Sequence, residues 1–335
     1  MMGAVVGRLA PSPTGAQHLG NARTFLIAWL AARSCGGKLI LRIEDIDSPR
    51  VKRWAIDQAI EDLKWLGLDW DEGPDCLGAN QPYLQTERVE RYHAALQQLV
   101  VAERVYPCTC TRSDIEEAAS APHAVGDGQN QVDGAIYARI CAHRKASDAA
   151  GLAANSYAWR FRVHDGVMAW CDGLQGWQSM HAAKQLGDFV IAKKDGGPAY
   201  QLAVVVDDHD MGVNMVVRGD DLIPSTYRQL SLYESFGWQP PQFWHVPLVV
   251  GLDGRRLAKR HGDTRLSSYR EAGVLAQDII GWIAWSCGWC DHFSPRSPQE
   301  LLPLFDWKKI PQRRLVFPGG VFDFRLERPM FQGDL

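Results

Sequence analysis

The sequence AVVGRLAPSPTGAQHLGN, residues 4–21, decides the fold of this 335-residue chain. Its apolar start, residues 4–10, predicts a short β-strand, and the apolar spacing over residues 21–34 predicts an amphipathic α-helix. Prolines and glycines mark the turn between the two elements. A glycine-punctuated turn from a strand into a helix leaves free backbone N–H groups at the helix start, where phosphate binds well. This stretch therefore predicts a phosphate-binding turn beside His18 and Gly20.

The elements that follow repeat this order of strand and helix. Further apolar runs predict strands at residues 38–43, 189–192, 201–206 and 214–218. Apolar residues at helical spacing predict two more helices, at residues 52–66 and 87–103. Alternating strands and helices are typical of a doubly wound parallel sheet, so the predicted fold class is α/β with a Rossmann-like core.

Two regions depart from that alternation and divide the chain. Residues 106–186 contain cysteines, a polar loop and an alternating segment at 157–164, which is typical of an antiparallel strand with one exposed face. After Val250 the chain is first basic and then helical. The predicted parts are the first half of the Rossmann-like domain, an insertion, the second half and a small helical unit, at residues 1–105, 106–186, 187–250 and 251–335.

The composition excludes several classes of protein. A net charge of −3 with 46% hydrophobic residues is typical of a globular chain and not of a generally basic nucleic-acid binder. The most apolar run, residues 274–289, is too short for a membrane span and predicts a buried helix. Eight cysteines without regular spacing do not indicate a disulfide framework, and Cys287 and Cys290 are expected to be buried free thiols. We expect a cytoplasmic monomer that does not bind membranes.

Charged side chains cluster where the predicted strands end. Alternation along the second strand places Glu44 on the same face as Arg42, and Arg218 ends a valine-rich strand. A ligand that carries two carboxylates and one ammonium group needs such arginine forks and an opposing acid. For Asp45 and Asp47 the expectation is different, namely solvated positions at a strand end or a helix cap.

Three cysteines surround the polar loop of the insertion. Cys108, Cys110 and Cys141 offer the thiolate ligands that a structural zinc site prefers. Ordinary zinc chemistry would favour a histidine as the fourth ligand, and the candidates are His123 and His143. The insertion is therefore predicted to bind zinc.

Several segments resemble the class I aminoacyl-tRNA synthetases. The residues HLGN at 18–21 resemble the HIGH signature of that class, and RIEDIDSPR at 42–50 resembles the glutamyl-tRNA synthetases and their shortened relatives. The segments DGGPAYQLAVVVDD at 195–208 and VRGDDL at 217–222 match the second half of the same family. The resemblance implies a class I catalytic core.

A basic segment occupies the place of the class I KMSKS loop. Its sequence is RRLAKRH, residues 255–261. Lys259 matches the lysine that binds ATP phosphates in that family. Arg256 stands where the family has its first lysine, and Ala258 and Arg260 stand where it has serines. The resemblance implies that the charge for binding phosphate is kept and that the hydroxyl groups are lost.

The resemblance also implies roles for individual residues. Those implied to bind the substrate L-glutamate are Arg8, Ser12, Glu44, Tyr200 and Arg218. Among these, Glu44 would pair with the α-ammonium group. Those implied to bind ATP are His18, Gly20 and Lys259, with His18 and Lys259 acting in catalysis together with Mg²⁺. The zinc ligands implied are Cys108, Cys110, Tyr137 and Cys141.

Within the family, the chain resembles the shortened members. The residues after 311 are too few to form the helical anticodon-binding domain of a full glutamyl-tRNA synthetase. The insertion and the segment FDWKKIP, residues 305–311, resemble glutamyl-queuosine tRNA(Asp) synthetases. These activate glutamate without tRNA and esterify queuosine in the anticodon loop of tRNA(Asp). The alternatives are a truncated enzyme that charges tRNA(Glu), a small-molecule adenylyltransferase and a non-catalytic RNA-binding paralogue.

Overall fold

A computed structural model describes most of the chain, namely residues 4–13, 15–46, 51–76, 78–111, 113–115, 136–255, 257, 263–318, 324 and 328–334. Its strands are β1 (Val6–Leu9), β2 (Lys38–Leu41), β3 (Val105–Cys108), β4 (Ala158–Phe161), β5 (Val167–Asp172), β6 (Gly176–His181), β7 (Phe189–Ala192), β8 (Met215–Gly219), β9 (Gln242–Val246), β10 (Val249–Val250), β11 (Leu315–Val316) and β12 (Met330–Phe331). Its α-helices are α1 (Leu19–Ser34), α2 (Arg53–Trp65), α3 (Val89–Val101), α4 (Ala182–Gln185), α5 (Tyr200–Asp210), α6 (Ile223–Phe236), α7 (Leu266–Glu271), α8 (Ala276–Ser286) and α9 (Pro298–Leu301).

A parallel sheet lies at the centre of the described structure, with the strand order β2-β1-β8-β9. Helix α1 follows β1 and packs against both β1 and β8, and its apolar side chains fill the core between them. The α/β class with a parallel sheet is therefore confirmed. Because parallel strands point the same way, their carboxyl ends lie along one edge, and α/β sheets bind ligands outside that edge. Arg218 in β8 lies beside His245 in β9 in this sheet.

One predicted strand is wrong, because residues 201–206 lie in helix α5 and not in the sheet. The run Leu202–Val206 is buried at every position. A helix that is enclosed on all sides has a continuous apolar sequence, and such a sequence cannot be told from a buried strand by its periodicity. Its valines add to the strand-like composition, although they fit a helix at a small cost in side-chain freedom. The helix places Tyr200 at its first turn and Asp207 and Asp208 at its last.

A second, antiparallel sheet has the order β3-β4-β7, and β5 and β6 form a separate hairpin. The antiparallel strand predicted at 157–164 is confirmed as β4. The strand predicted at 189–192 is present as β7, but it pairs with β4 and does not join the parallel sheet that the alternation predicted. The boundaries drawn at residues 105, 186 and 250 stay predictions.

The C-terminal part begins with short helices. The buried helix predicted within 274–289 is confirmed as α8, whose apolar residues pack against α1 and enlarge the same core. Cys287 at its end is buried and Cys290 is half-buried, and both are free thiols. No helix among the described residues is long and apolar enough to cross a membrane.

Candidate active site

The start of α1 is held by a reciprocal pair of hydrogen bonds. His18 is the residue before the first helical turn, and its Nδ1 accepts from the backbone N–H of Gly20 at 3.1 Å. The side chain of Asn21 accepts in return from the backbone N–H of His18 at 3.1 Å. A Cβ atom at position 20 would lie 3.0 Å from the imidazole, so a larger residue here would press on the His18 ring. The sequence thus builds a helix start whose imidazole is fixed beside the turn that is predicted to bind phosphate.

A cavity of about 410 Å³ opens at the carboxyl ends of β1 and β8. The residues predicted for glutamate and ATP that line it are Arg8, Ser12, His18, Gly20, Glu44, Tyr200 and Arg218. The structure therefore brings together all the predicted substrate-binding residues except Lys259, which lies outside the described residues. Asp221 also lines the cavity, although the sequence reasoning did not select it.

The buried guanidinium of Arg42 holds the carboxylate of Glu44 in the cavity wall. The guanidinium of Arg42, which is fully buried, lies 3.0 Å from Glu44 and 2.7 Å from Asp208. Burial by itself would lower the pKa of Arg42, but the carboxylates of Asp208, Asp207 and Glu44 outweigh it and raise that pKa well above its ordinary value. Burial raises the pKa of Glu44, and Arg42 and Arg8 only partly oppose this. An ammonium group arriving beside Glu44 would stabilise its charged form.

The expectation for Asp45 is wrong. Its side chain is buried, and its carboxylate accepts hydrogen bonds from the backbone N–H of Thr86 at 2.9 Å and from the Thr86 hydroxyl at 2.6 Å. It therefore caps a turn that lies 41 residues further along the chain, and a solvated strand end is excluded. The prediction for Asp47 falls outside the described residues.

Arg218 is buried and is held by uncharged acceptors. Its Nε donates to His245 at 3.0 Å, and its Nη2 donates to Thr226 at 2.7 Å and to Gln229 at 2.8 Å. Its Nη1 is buried and makes no hydrogen bond to any residue that the structure describes. Burial lowers the pKa of Arg218, and the positive charge of Arg8 contributes. A carboxylate bound in the cavity would supply the counter-charge that these neutral partners do not.

Arg8 and Tyr200 complete the polar wall. Arg8 Nη1 donates to the backbone carbonyl of Val217 at 3.0 Å, and its Nε lies 4.0 Å from Asp208. Burial, together with the charge of Glu44, raises the pKa of Tyr200 to about 12, so its hydroxyl stays protonated at neutral pH and can donate a hydrogen bond. The predicted residues thus bring two guanidinium groups and the carboxylate of Glu44 to the cavity wall, which complements the two carboxylates and one ammonium group of an acidic amino acid.

Asp172 and His245 support Arg218, and the sequence reasoning missed both. His245 Nδ1 lies 2.6 Å from Asp172 Oδ2, and neither side chain is exposed. Burial and the charge of Arg218 lower the pKa of His245 to about 4, although Asp172 opposes this, so the imidazole is neutral near pH 7. The two residues are 73 positions apart in the chain. No local motif could have shown the pair, because only the tertiary fold joins β5 to β9.

The predicted zinc ligands also lie together. The sulfur atoms of Cys108, Cys110 and Cys141 are all within 4.8 Å of one another. The hydroxyl of Tyr137 lies 3.3 Å from Cys108 and 3.7 Å from Cys110. The set fits zinc because three thiols and one phenol converge on one point. Of the alternative ligands, His143 is exposed and its Nδ1 lies 3.1 Å from the carbonyl of Ile140, while position 123 lies outside the described residues.

A cation lies beside this cysteine cluster. The Nε of Arg160 lies 3.3 Å from Cys108, and its guanidinium carbon lies 3.8 Å from the centre of the Tyr137 ring. Arg160 is buried and also donates to the carbonyl of Asp188 at 2.9 Å. A metal held by three thiolates carries a net negative charge, which a fixed guanidinium would partly compensate.

Comparisons with known proteins agree with this geometry. Residues 4–294 match the family model described as tRNA synthetases class I (E and Q), catalytic domain. The chain is 50% identical over 329 residues to the glutamyl-Q tRNA(Asp) synthetase of Rhodopirellula baltica, covering 94% of this chain and 97% of that protein. It is 46% identical to the protein of the same name from Symbiobacterium thermophilum, covering 93% and 96% of the two chains.

A solved structure gives the same result for the fold. The crystal structure of a glutamate tRNA ligase from Elizabethkingia meningosepticum, in complex with its amino acid, superposes with a TM-score of 0.80 at 29% sequence identity. The match covers 95% of this chain but only 68% of the ligase. The ligase therefore contains a region that the superposition does not include.

Proposed function

Because the chain belongs to the glutamyl-Q tRNA(Asp) synthetases, within the class I glutamyl- and glutaminyl-tRNA synthetase family, we propose that it is a ligase that glutamylates queuosine. In the first step it activates L-glutamate with ATP, without tRNA, to form glutamyl-adenylate and pyrophosphate. In the second step it transfers the glutamyl group to queuosine in the anticodon loop of tRNA(Asp) and releases AMP. ATP, glutamate and tRNA are cytoplasmic, so we place the reaction in the cytoplasm.

The observation that carries the proposal is the buried guanidinium of Arg218. Its acceptors are all neutral, and its Nη1 is buried at the cavity without a hydrogen bond to the described residues. A carboxylate ligand would satisfy that donor, whereas a neutral ligand would leave the charge uncompensated. Arg8, Ser12 and Tyr200 would contact the rest of the amino acid, and Glu44 would pair with its ammonium group. Glutamine should therefore be a poor competitor.

The first step needs no protein base. An α-carboxylate oxygen of glutamate, which is already deprotonated, attacks the α-phosphorus of ATP, and the bond to the pyrophosphate oxygen breaks. The chain would contribute positioning and charge stabilisation. The start of α1 with His18 and Gly20 would bind the nucleotide, and the proposed role of Lys259 is to bind its phosphates. Mg²⁺ would neutralise phosphate charge when it is bound.

Zinc would be held by Cys108, Cys110, Tyr137 and Cys141, and it would stabilise the insertion when it is bound.

We propose that the insertion and the basic residues around 255–270 and 308–314 contact the RNA. The anticodon loop itself enters the active site in this reaction, so a separate anticodon-binding domain is not needed for it. The glutamyl group is thus accepted by the modified base and not by the terminal adenosine of the tRNA.

The test is a transfer assay with labelled glutamate and three RNAs. We expect transfer to tRNA(Asp) that contains queuosine, and none to the same tRNA without queuosine or to tRNA(Glu). Transfer to tRNA(Glu) would favour a truncated charging enzyme and overturn the proposal. An absence of glutamate-dependent ATP–pyrophosphate exchange would favour a non-catalytic RNA-binding protein and would equally overturn it.

A further inference from the structure

We propose that Asp172 and His245 are positioning residues, which orient the guanidinium of Arg218 so that its Nη1 is directed to the substrate carboxylate. This inference rests on the proposed function, in which Arg218 binds glutamate. Neither residue lines the cavity described above. Both would therefore act through Arg218 and not by contact with the substrate.

The geometry forms an unbroken buried chain of hydrogen bonds. Asp172 Oδ2 lies 2.6 Å from His245 Nδ1, and His245 Nε2 lies 3.0 Å from Arg218 Nε. Asp172 ends strand β5 of the hairpin, and His245 lies in β9 directly beside Arg218 in β8. The chain of contacts thus joins the hairpin to the parallel sheet at the arginine.

The charge state of each group fixes the direction of these hydrogen bonds. An ionised carboxylate only accepts, so the proton of the neutral imidazole must be on Nδ1. Nε2 then carries a lone pair and can accept from the Nε–H of Arg218 at 3.0 Å, and the Thr226 hydroxyl oxygen lies 3.1 Å from the same nitrogen. With the proton on Nε2 instead, the imidazole N–H would point at the Nε–H of Arg218, and two donors would face each other. Asp172 therefore determines that His245 is an acceptor for the arginine.

The protein's own acceptors account for three of the N–H donors of Arg218. A guanidinium has five N–H groups. His245 accepts from Nε, and Thr226 and Gln229 accept from Nη2. The two N–H groups of Nη1 are left for a ligand. If His245 did not accept, the plane of the guanidinium could rotate and the fork would no longer be preorganised.

Asp172→Asn separates this role from a structural role. Asp172 Oδ1 accepts from the backbone N–H of Leu174 at 2.9 Å and of Gln175 at 2.7 Å, and an asparagine oxygen can keep both bonds. The amide nitrogen would replace Oδ2 and donate to His245 Nδ1, which moves the imidazole proton to Nε2. The substitution is almost isosteric, so the turn after β5 should be retained while the acceptor for Arg218 is lost.

The experiment measures ATP–pyrophosphate exchange by the full chain as the concentrations of glutamate and ATP are varied separately. For Asp172→Asn we expect the KM for glutamate to rise about 10- to 100-fold, since a charged hydrogen bond is lost, with the KM for ATP nearly unchanged. The matched control is Asp165→Asn, because Asp165 pairs with His181 at 3.3 Å near the same hairpin but is largely exposed. The control should leave both KM values unchanged.

A spectroscopic measurement tests the same inference without activity. With ¹⁵N-labelled histidine, and with His245→Gln to assign the signal, the ring nitrogen shifts should show the proton of His245 on Nδ1 in the wild type and on Nε2 in Asp172→Asn. An unchanged tautomer, an unchanged KM for glutamate or an equal rise in both KM values would overturn the inference. If the wild type has no glutamate-dependent exchange, the proposed function fails, and the nitrogen shifts still decide the placement of the proton.

Discussion

The cavity at the carboxyl ends of β1 and β8 and the cysteine cluster are both polar sites. They differ in how much of their charge is compensated by other residues of the protein. In the cavity, the buried carboxylate of Glu44 already has Arg42 at 3.0 Å. In the cluster, the sulfur atoms contact one another and a phenol, with Cys110 and Cys141 3.6 Å apart. Burial raises the pKa of Cys110 to about 11. The first site is prepared for a charged organic ligand, and the second has the donors that a metal ion would bind.

The difference extends to the residues behind each site. Arg42 also contacts Asp208, and the neighbouring Asp207 lies 2.6 Å from Arg88, so the charges of the cavity belong to one buried network. In the cluster, Arg160 is a fixed cation beside Cys108. A network of this kind is rigid before the ligand arrives, whereas a metal site gains much of its rigidity from the metal. Changes in the cavity should therefore affect catalysis, and changes in the cluster should affect metal content and stability.

The largest expected effect tests the cavity. Arg218→Lys keeps the charge, but a single ammonium group cannot donate to His245, Thr226, Gln229 and a carboxylate at the same time. We expect kcat/KM for glutamate in ATP–pyrophosphate exchange to fall about 1,000-fold. The control is Arg313→Lys, an exposed arginine that pairs with Asp334 at 2.6 Å, and it should have wild-type exchange. A loss of less than about 10-fold would mean that the fork does not bind the substrate.

The next effect tests the cluster. For Cys108→Ser we expect the purified protein to lose most of its bound zinc, because a hydroxyl is a much weaker ligand than a thiolate. Metal analysis after dialysis against a chelator measures this directly. Cys171→Ser is the matched control, since Cys171 is an exposed free thiol outside the cluster, and it should keep the zinc of the wild type. Undiminished zinc in the Cys108 variant would exclude this site.

The same measurement decides the fourth ligand. If Tyr137 binds the metal, Tyr137→Phe should weaken zinc affinity about 10- to 100-fold while His143→Ala leaves it unchanged. The reverse result would assign the exposed His143 to the site and reduce Tyr137 to a packing residue.

The sequence predicted much of the cavity because its residues lie next to the ends of local elements. His18 and Gly20 begin a helix, and Arg8 and Arg218 lie within or at the end of short apolar strands whose direction follows from the α/β order. Parallel strands bring their carboxyl ends together, so a pattern read along the chain predicts proximity in space. The resemblance then assigns the individual roles.

What the sequence did not predict depends on contacts between distant parts of the chain. The sequence predicts a strand where the structure has helix α5, because tertiary burial on all sides removes helical periodicity. Asp45 was expected to be solvated, but Thr86 packs over it. The pair of Asp172 and His245 has no local signature, because the two residues are 73 positions apart in the chain. Polar residues that act through other residues are thus the least visible in sequence.

Another buried acid, outside both regions, carries a charge that the protein compensates only weakly. Asp62 in α2 is fully buried, and its oxygens have no hydrogen-bond partner among the described residues. Arg270 lies 3.9 Å away, and burial raises the pKa of Asp62 to about 6 from an ordinary value near 3.8. The folded state therefore binds a proton more tightly than the unfolded state. The resulting loss of stability is absent below pH 3.8, grows between pH 3.8 and 6, and is constant above pH 6.

Asp62→Asn removes that ionisation. At pH 8 we expect the variant to be more stable than the wild type by about 1 kcal/mol, because the buried amide still lacks good partners. This corresponds to a rise in Tm of about 2 °C, and the difference should decrease as the pH falls towards 4. Thermal unfolding at several pH values measures it, with Asp57→Asn as the control, because Asp57 is an exposed aspartate on the same helix. A gain in Tm that is equal at every pH would show that the pKa of Asp62 is the same in the folded and unfolded states, so that Arg270 and the other surroundings fully offset the cost of burying its charge.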